Sequence, residues 1–552
     1  NHLADQYTKE SAAFYPEHAS HMGYQQFDKL GMNPTIEHQE KYLAFLKSWV
    51  EILEKKKVVA NEKNLLVDIQ ILLDRIYLDI DEIEYKEKEG ILDLVEVNKI
   101  IYYNLFSLIN AQTSPERKSS GVDRFKYYMN RNGKKSIVEE FINVTKNDLR
   151  KYQSNKIIYP YVGQVKKYLE DSPSITTGIK EVLAQSGRSD WTADYNQLVK
   201  ELKVYDQFIT QTILPKARKD PRLPLSQYIL QLKGYGVTTH PDDLINNGLR
   251  DYKEVYKDFS SIAAEVAKKH ALPKNDPASV IKALKSKFNV TGLDELKVIY
   301  DEVNTRLEKI IIEKKLVTLP KEKLQMRFAG DAESKTKPVP HVTVPPIINN
   351  KGEKSEFVIP TSSTGKLPFD DFSNKFSAMA LSAHEGRPGH DLQFSRMLEN
   401  PISIVRARYA MNSVNVEGWG LHAEDLVLPY LELEEKLFIM QTKLWRMARY
   451  YLDPMVQLGK VDESKVVSTL HNELGMSQEM ARLEYQRYAF RSSGQATAYY
   501  QGLLNIRDLK SNLEKNLGSM TLKCFHDHLL SFGIMPHEHV RLFEDEFKKC
   551  RL

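Results

Sequence analysis

The sequence predicts a mainly α-helical protein interrupted by one short β-hairpin. Three observations carry that expectation. Long amphipathic runs recur along the chain, proline-centred turn signals separate them, and one stretch alone is rich in Val and Ile. "EKYLAFLKSWVEILEKKK" (40–57) places Leu43, Leu46, Val50 and Leu53 at i, i+3, i+7 and i+10, the spacing of one helix face. The runs at 64–85, 249–270 and 293–315 behave in the same way. Between such runs stand "GMNPT", "TSPE", "DSPS", "KDPRLP", "THPDD" and "NDPAS". "THPDDL" and "NDPASV" read as helix starts, with a capping residue followed by Pro in the first turn.

The exception is "HVTVPPIINNKGEKSEFVIPTSS" (341–363), whose middle, "NNKGEK", is a turn and whose Pro345 and Pro346 mark a strand end. Two readings of this hairpin stand side by side. It is a structural element on a helical body, or it is an edge strand able to pair with an extended peptide.

At 552 residues the chain is long enough for two to four domains or lobes. With 41% hydrophobic and 28% charged residues it can bury a large core. A net charge of +4 over this length is nearly balanced and lacks the concentrated basic face of a nucleic-acid binder. Short runs such as "EKKK" (54–57) and "IIIEKKL" (310–316) read as solvated helix faces. The two cysteines, Cys524 and Cys550, exclude a disulfide framework and a thiolate-rich metal site, leaving at most one bridge. No apolar run reaches the ~18 residues of a membrane span. The first residue is Asn1 rather than Met, which a removed signal peptide or a trimmed chain would explain.

The chemistry concentrates in three segments. "SAHEGRPGHDLQF" (382–394) begins like the helix of a zinc peptidase, with His384 followed by Glu385. In the H-E-x-x-H pattern, histidines at i and i+4 share a helix face and the Glu beside the first activates water. Here position 388 is Pro, and the next histidine is His390. On a regular helix an i+6 spacing turns the second ring away by roughly 240°. Pro388 cannot donate to the carbonyl of His384, and Gly389 allows unusual backbone angles, so the helix is expected to kink or bulge and bring His390 round. The second segment, "MNSVNVEGWGLHAEDLVLPY" (411–430), carries Glu417 and Glu424 on one helix face within an apolar stretch, where an unpaired carboxylate is costly. Two histidines, one carboxylate and an open position make a catalytic zinc site. The third segment, "EYQRYAFRSSGQATAYYQG" (484–502), supplies Arg487, Tyr488, Arg491, Gln495, Tyr499 and Tyr500. A tyrosine hydroxyl can stabilise an oxyanion, and an arginine can hold a carboxylate.

Together the three segments resemble the domain-of-unknown-function 885 family of bacterial proteins, over nearly the whole chain. Its motifs are H-E-x-x-P-G-H-H-L-Q, E-G-W-x-x-Y-x-E and R-Y-x-x-x-P-x-Q-A-x-x-Y-x-x-G. They stand here as "HEGRPGHDLQ" (384–393), "EGWGLHAE" (417–424) and "RYAFRSSGQATAYYQG" (487–502). Asp391 replaces the family's second consecutive histidine, His422 replaces a tyrosine, and the proline ahead of the glutamine is missing, with Gly494 preceding Gln495. The family is similar to helical zinc peptidases such as carboxypeptidase Taq, angiotensin-converting enzyme and the neurolysin-like oligopeptidases. The resemblance implies one catalytic unit of two helical lobes around a deep channel. Its metal helices lie within 376–430, and its substrate and oxyanion segment is 484–502.

It also implies one Zn²⁺ ion held by His384, His390 and Glu417, with Glu385 as general base and Tyr499 as oxyanion donor. Arg487, Arg491 and Gln495 are the expected substrate contacts, and Asp391, His422 and Glu424 are expected to orient the ligands. The expected activity is that of a zinc metallopeptidase acting on short peptides as a carboxypeptidase. An oligopeptidase or dipeptidase, a metal-dependent amidase or esterase, and a binding protein with a structural metal remain as alternatives. The family's frequent signal peptides point to an extracytoplasmic location, whether periplasmic, lipoprotein or secreted.

Overall fold

The computed structural model describes residues 2–130, 133, 135–152, 157–361, 370–400 and 402–552. They form a mostly helical protein with one three-stranded sheet. The chain divides into two compact units. One comprises residues 1–221, 330–338 and 344–354, and the other residues 222–329, 339–343 and 355–552.

The first unit is built from long helices, among them Ile36–Val59 and Lys63–Glu89. Leu46 and Leu53 of the first run are buried as expected, with Trp49 between them, while Lys55 and Lys56 face solvent. Its main core gathers Ile101, Leu105, Leu108, Val122, Phe125 and Tyr128, all fully enclosed. Two arginines are fixed inside it. Arg117 donates from Nε to Asp28 at 2.8 Å, and Arg124 donates to the carbonyls of Leu30 and Phe27 at 2.8 and 3.1 Å.

The second unit carries the three motifs. Its helix Pro241–Lys269 starts at a His240 cap, and Pro277–Phe288 starts at an Asp276 cap, each with Pro in the first turn as the sequence predicts. The helix Leu433–Gln457 is buried on nearly every side and lies along Pro241–Lys269. The two cysteines are bonded, with Cα atoms 5.2 Å apart and a sequence separation of 26. The bridge ties helix Leu522–Ser531 to the C-terminal 3₁₀ segment Arg541–Cys550. A loop of this size stabilises the fold by about 3–4 kcal/mol in the chain-entropy picture.

The predicted hairpin needs correction. Strands β2 (His341–Thr343) and β3 (Glu356–Ile359) do pair antiparallel, with His341 opposite Val358. However, β3 is the middle strand, because β1 (Gln325–Phe328) pairs with it in parallel on the other side. The connection through 344–354 belongs to the first unit and is not a tight turn. Residues 362 and 363 of the expected hairpin lie outside the described residues. Phe357, Val358 and Ile359 are fully buried, so β3 is a core strand and the free edges are those of β1 and β2.

Candidate metal centre

The first ligand helix, Lys375–Glu385, starts at Asn374, whose side chain accepts from the amides of Phe376 and Ser377. Every residue from Phe376 to Glu385 is buried, so His384 and Glu385 are presented from a rigid element. Where a kink or bulge was expected, the helix ends. A new helix, His390–Glu399, begins after the intervening Gly386–Gly389, in which the Arg387–Pro388 peptide is cis. The requirement for glycine at 389 is steric and does not come from its φ of −77°. A Cβ there would stand 1.8 Å from the carbonyl oxygen of His384.

Arg387 fastens this break. It donates to Asp391 at 2.8 Å, to Glu308 at 2.7 Å and to the carbonyl of Glu322. Asp391 accepts also from Ser355. Its carboxylate is thus committed to Arg387 and Ser355, and it supports the break instead of orienting a ligand histidine. Trp419 closes the other side, donating from Nε1 to the carbonyls of Pro388 at 2.9 Å and Gly389 at 3.2 Å.

The glutamate helix, Ser413–Val427, is capped by Asn412 and carries Glu417 and Glu424 on the face toward the histidines. Gly420 stands between them, and a Cβ on it would lie 2.6 Å from the His384 ring and 2.9 Å from the His390 ring. His384 Nδ1 donates to Glu424 at 2.7 Å, and His390 Nδ1 donates to the Gln393 side-chain oxygen at 3.3 Å. Both Nδ1 protons are therefore assigned outward, and both Nε2 lone pairs point inward. They meet Glu417 Oε2 at 3.5 and 3.3 Å. Three lone pairs facing one another repel unless a cation lies between them. Two donors bonded ~2.1 Å from one tetrahedral zinc ion stand roughly 3.4 Å apart, so the residues fit such an ion. The three donor atoms lie within 4.8 Å of one another, the one such group among the described residues.

Residues 16–542 match the family described as "Bacterial protein of unknown function (DUF885)". The chain belongs to this family. No curated protein matches its sequence. Two solved structures share its fold. One is described as "a putative lipoprotein of unknown function from Shewanella oneidensis", at TM-score 0.73 and 18% identity, covering 98% of both chains. The other, a lipoprotein so described from Colwellia psychrerythraea, has a TM-score of 0.74 and 16% identity over 99% of both chains.

Around this candidate metal centre the DUF885 member buries several charges. Burial pushes the pKa of Glu385 up to about 8, against the pull of His390 and Arg446. Burial acts on Glu417 in the same direction, but with no cation between them a proton on His384 or His390 facing the carboxylate outweighs it and holds Glu417 well below its ordinary range. Glu424 also stays low despite burial, held by Arg446 and by its bonds to His384 and Thr442.

The third DUF885 motif reaches the site through the turn 487–497 and the tyrosine helix, Ala498–Leu517. The Tyr499 ring lies against that of His384, with centroids 6.0 Å apart, and its hydroxyl accepts from Arg487 at 3.0 Å. Tyr500 points elsewhere, to Asp251 at 3.0 Å. Gln495 accepts from Arg487 and donates to Glu417 at 3.3 Å, which makes it a support for a ligand. Arg491 donates to Gln486 at 3.2 Å. Three contributors were not foreseen from the sequence. Gln393 orients His390, Thr442 donates to Glu424 at 2.5 Å, and Arg446 lies 3.8 Å from Glu424. The Q of the DUF885 "H-L-Q" motif was the available signal for Gln393. Nothing in the local pattern marked Thr442 or Arg446.

His422 does not touch a metal ligand side chain either. Its Nε2 donates to His526 Nε2 at 3.0 Å, because His526 commits its Nδ1 proton to the Leu316 carbonyl at 2.7 Å. Burial drives the pKa of His422 well below the usual histidine value and that of His526 down to about 4. A base whose folded pKa is depressed contributes stability above its unfolded pKa, ~6.5, and loses that contribution as pH falls toward the folded value. Between pH 7 and pH 4, His526→Gln should therefore lose about 3 kcal/mol less stability than the wild type. Urea unfolding at both pH values measures this, and parallel losses in the two proteins would refute it.

Proposed function

We propose that this DUF885 member is a zinc-dependent peptidase acting on short peptides. The observation that carries the reading is the pairing of three convergent donors with a buried carboxyl, Glu385, that follows a ligand directly and is not itself one. A structural metal site has no use for such a base, and this favours hydrolysis over metal-stabilised binding. A zinc ion held by His384, His390 and Glu417 would supply Lewis acidity, acidifying water and polarising a carbonyl.

The chain's own residues do the rest. Glu385 takes the proton of the attacking water and gives it to the leaving nitrogen. Its raised pKa belongs to the protein without a cation, and a divalent charge beside it pulls the pKa down toward a usable base. Tyr499 accepts from Arg487, so its own proton is free for the developing oxyanion, and burial keeps the phenol protonated by raising its pKa. Carboxypeptidase action is the finer reading, and assignment of the fold to the two-lobed helical zinc peptidases goes with it. An extracytoplasmic location is supported by the Cys524–Cys550 bridge and by the lipoprotein descriptions of the two similar structures.

The test is digestion of a mixed peptide library read by mass spectrometry, with chelator-stripped protein before and after zinc is restored. Fragments should appear only with zinc, and Tyr499→Phe should lower kcat roughly 10²-fold with KM nearly constant. A protein that binds one zinc per chain and leaves every peptide intact would rule the reading out.

A further inference from the structure

Four carboxylates and three guanidinium groups share the interior around the metal centre: Glu385, Glu417, Glu424 and Glu484 with Arg446, Arg449 and Arg487. Two of the arginines are fully engaged. Arg449 grips Glu484 with two bonds, at 2.7 and 2.8 Å. Arg487 donates to Gln495 and Tyr499 and lies 3.6 Å from Glu484.

Arg446 is different. Its side chain is 4% exposed, its Nε has no hydrogen-bond partner, and its one hydrogen bond is a 3.3 Å contact from Nη1 to the Thr442 carbonyl. Glu424 does not complete it. The nearest approach is 3.8 Å, and both Glu424 oxygens are already taken, by His384 and by Thr442. The guanidinium rests on the Trp445 ring at 4.5 Å and lies 6.0 Å from the Tyr499 ring, so its plane is set by packing. A buried guanidinium offers five donors in a planar fork, and leaving most of them unused is costly. A carboxylate, with two coplanar oxygens, would fill the fork.

We infer that Arg446 anchors a carboxylate of the substrate beside the metal centre. The inference rests on the peptidase reading and narrows it to substrates with a carboxylate near the cleaved bond. That carboxylate is either the terminal α-carboxylate or an acidic side chain, and both present the same chemistry to the fork. Arg446 takes the role that the sequence alone assigns to Arg487 and Arg491.

The experiment uses zinc-loaded full-length protein with Glu385→Gln, so that ligands bind without turnover. Trialanine, trialanine amide and Ala-Glu-Ala amide are titrated calorimetrically, and bound zinc is counted by mass spectrometry. One of the two carboxylate-bearing peptides should bind at least ~10-fold tighter than trialanine amide. Preference for trialanine identifies the terminal carboxylate, and preference for Ala-Glu-Ala amide identifies the side chain. Adding Arg446→Gln should erase the preference with one zinc still bound. Arg446→Lys keeps the charge but not the fork, and it should erase most of the preference even if the glutamine variant fails to fold. A preference that survives in the folded variants, or its absence from the parent, overturns the inference. Wild-type hydrolysis of the library is scored separately. Hydrolysis without a carboxylate preference refutes the anchor alone, whereas absent hydrolysis refutes the peptidase reading.

Discussion

Glu385→Gln should leave one zinc ion bound per chain and lower peptide turnover by about 10²–10⁴-fold, the range for losing a general base. The amide has nearly the shape of the carboxyl, so the first ligand helix and His384 keep their packing. Glu385 is not one of the three converging donors, so the metal should stay. What disappears is the carboxylate that, on the peptidase reading, accepts a proton from water. Zinc content by mass spectrometry and kcat on a peptide found in the library screen are the two readouts. Zinc loss would make Glu385 a ligand, and unchanged turnover would place the base elsewhere.

Gly502→Ala should destabilise the protein by about 3 kcal/mol and cut turnover about 10²-fold, although residue 502 carries no functional group. The glutamate helix and the tyrosine helix touch backbone to backbone at Gly418 and Gly502. A Cβ on Gly502 would meet the Val414 carbonyl at 2.1 Å and the Gly418 Cα at 2.5 Å. Neither obstacle is a flexible side-chain end, so the helices must part. Glu417 adjoins Gly418, and Tyr499 precedes Gly502 by one turn, so parting them moves Glu417 away from Tyr499. Gly292→Ser is the control. Its nearest neighbour is 3.9 Å away and serine is a good helix cap, so stability should change by less than about 0.5 kcal/mol. Equal effects of the two substitutions would show that the contact carries no strain.

The helices and the donor triad were legible in the sequence because both depend on local order. Amphipathic spacing survives in any context, and His384, His390 and Glu417 span few enough residues for their chemistry to show as a pattern. Glu424 was legible for the same reason, being two turns from Glu417. The manner of the break at 386–389 was not legible, because it depends on Arg387 reaching Glu308 and on Trp419 reaching Pro388, both far away in sequence. Asp391 and His422 looked like ligand supports by proximity, yet their partners, Ser355 and His526, were decided by packing. Arg446 was hidden among the arginines and aromatics of one helix, where only the neighbouring helices determine which guanidinium is left without a partner. Strand β1 was missed because its four half-buried residues include a charged one and make no alternation.

The second unit is discontinuous, and its order along the chain has a consequence for assembly. The three donors fall between residues 384 and 417, whereas Thr442, Gln495 and Gly502, which help hold them in register, are synthesised later. A growing chain thus displays the ligands before it can lock their geometry, and the competent site forms only when the last segment docks. For a chain that crosses a membrane unfolded, docking happens on the far side. On the zinc reading, the choice among zinc and its competitors is then made by the cation pool of that compartment, because intrinsic affinity alone favours other divalent ions.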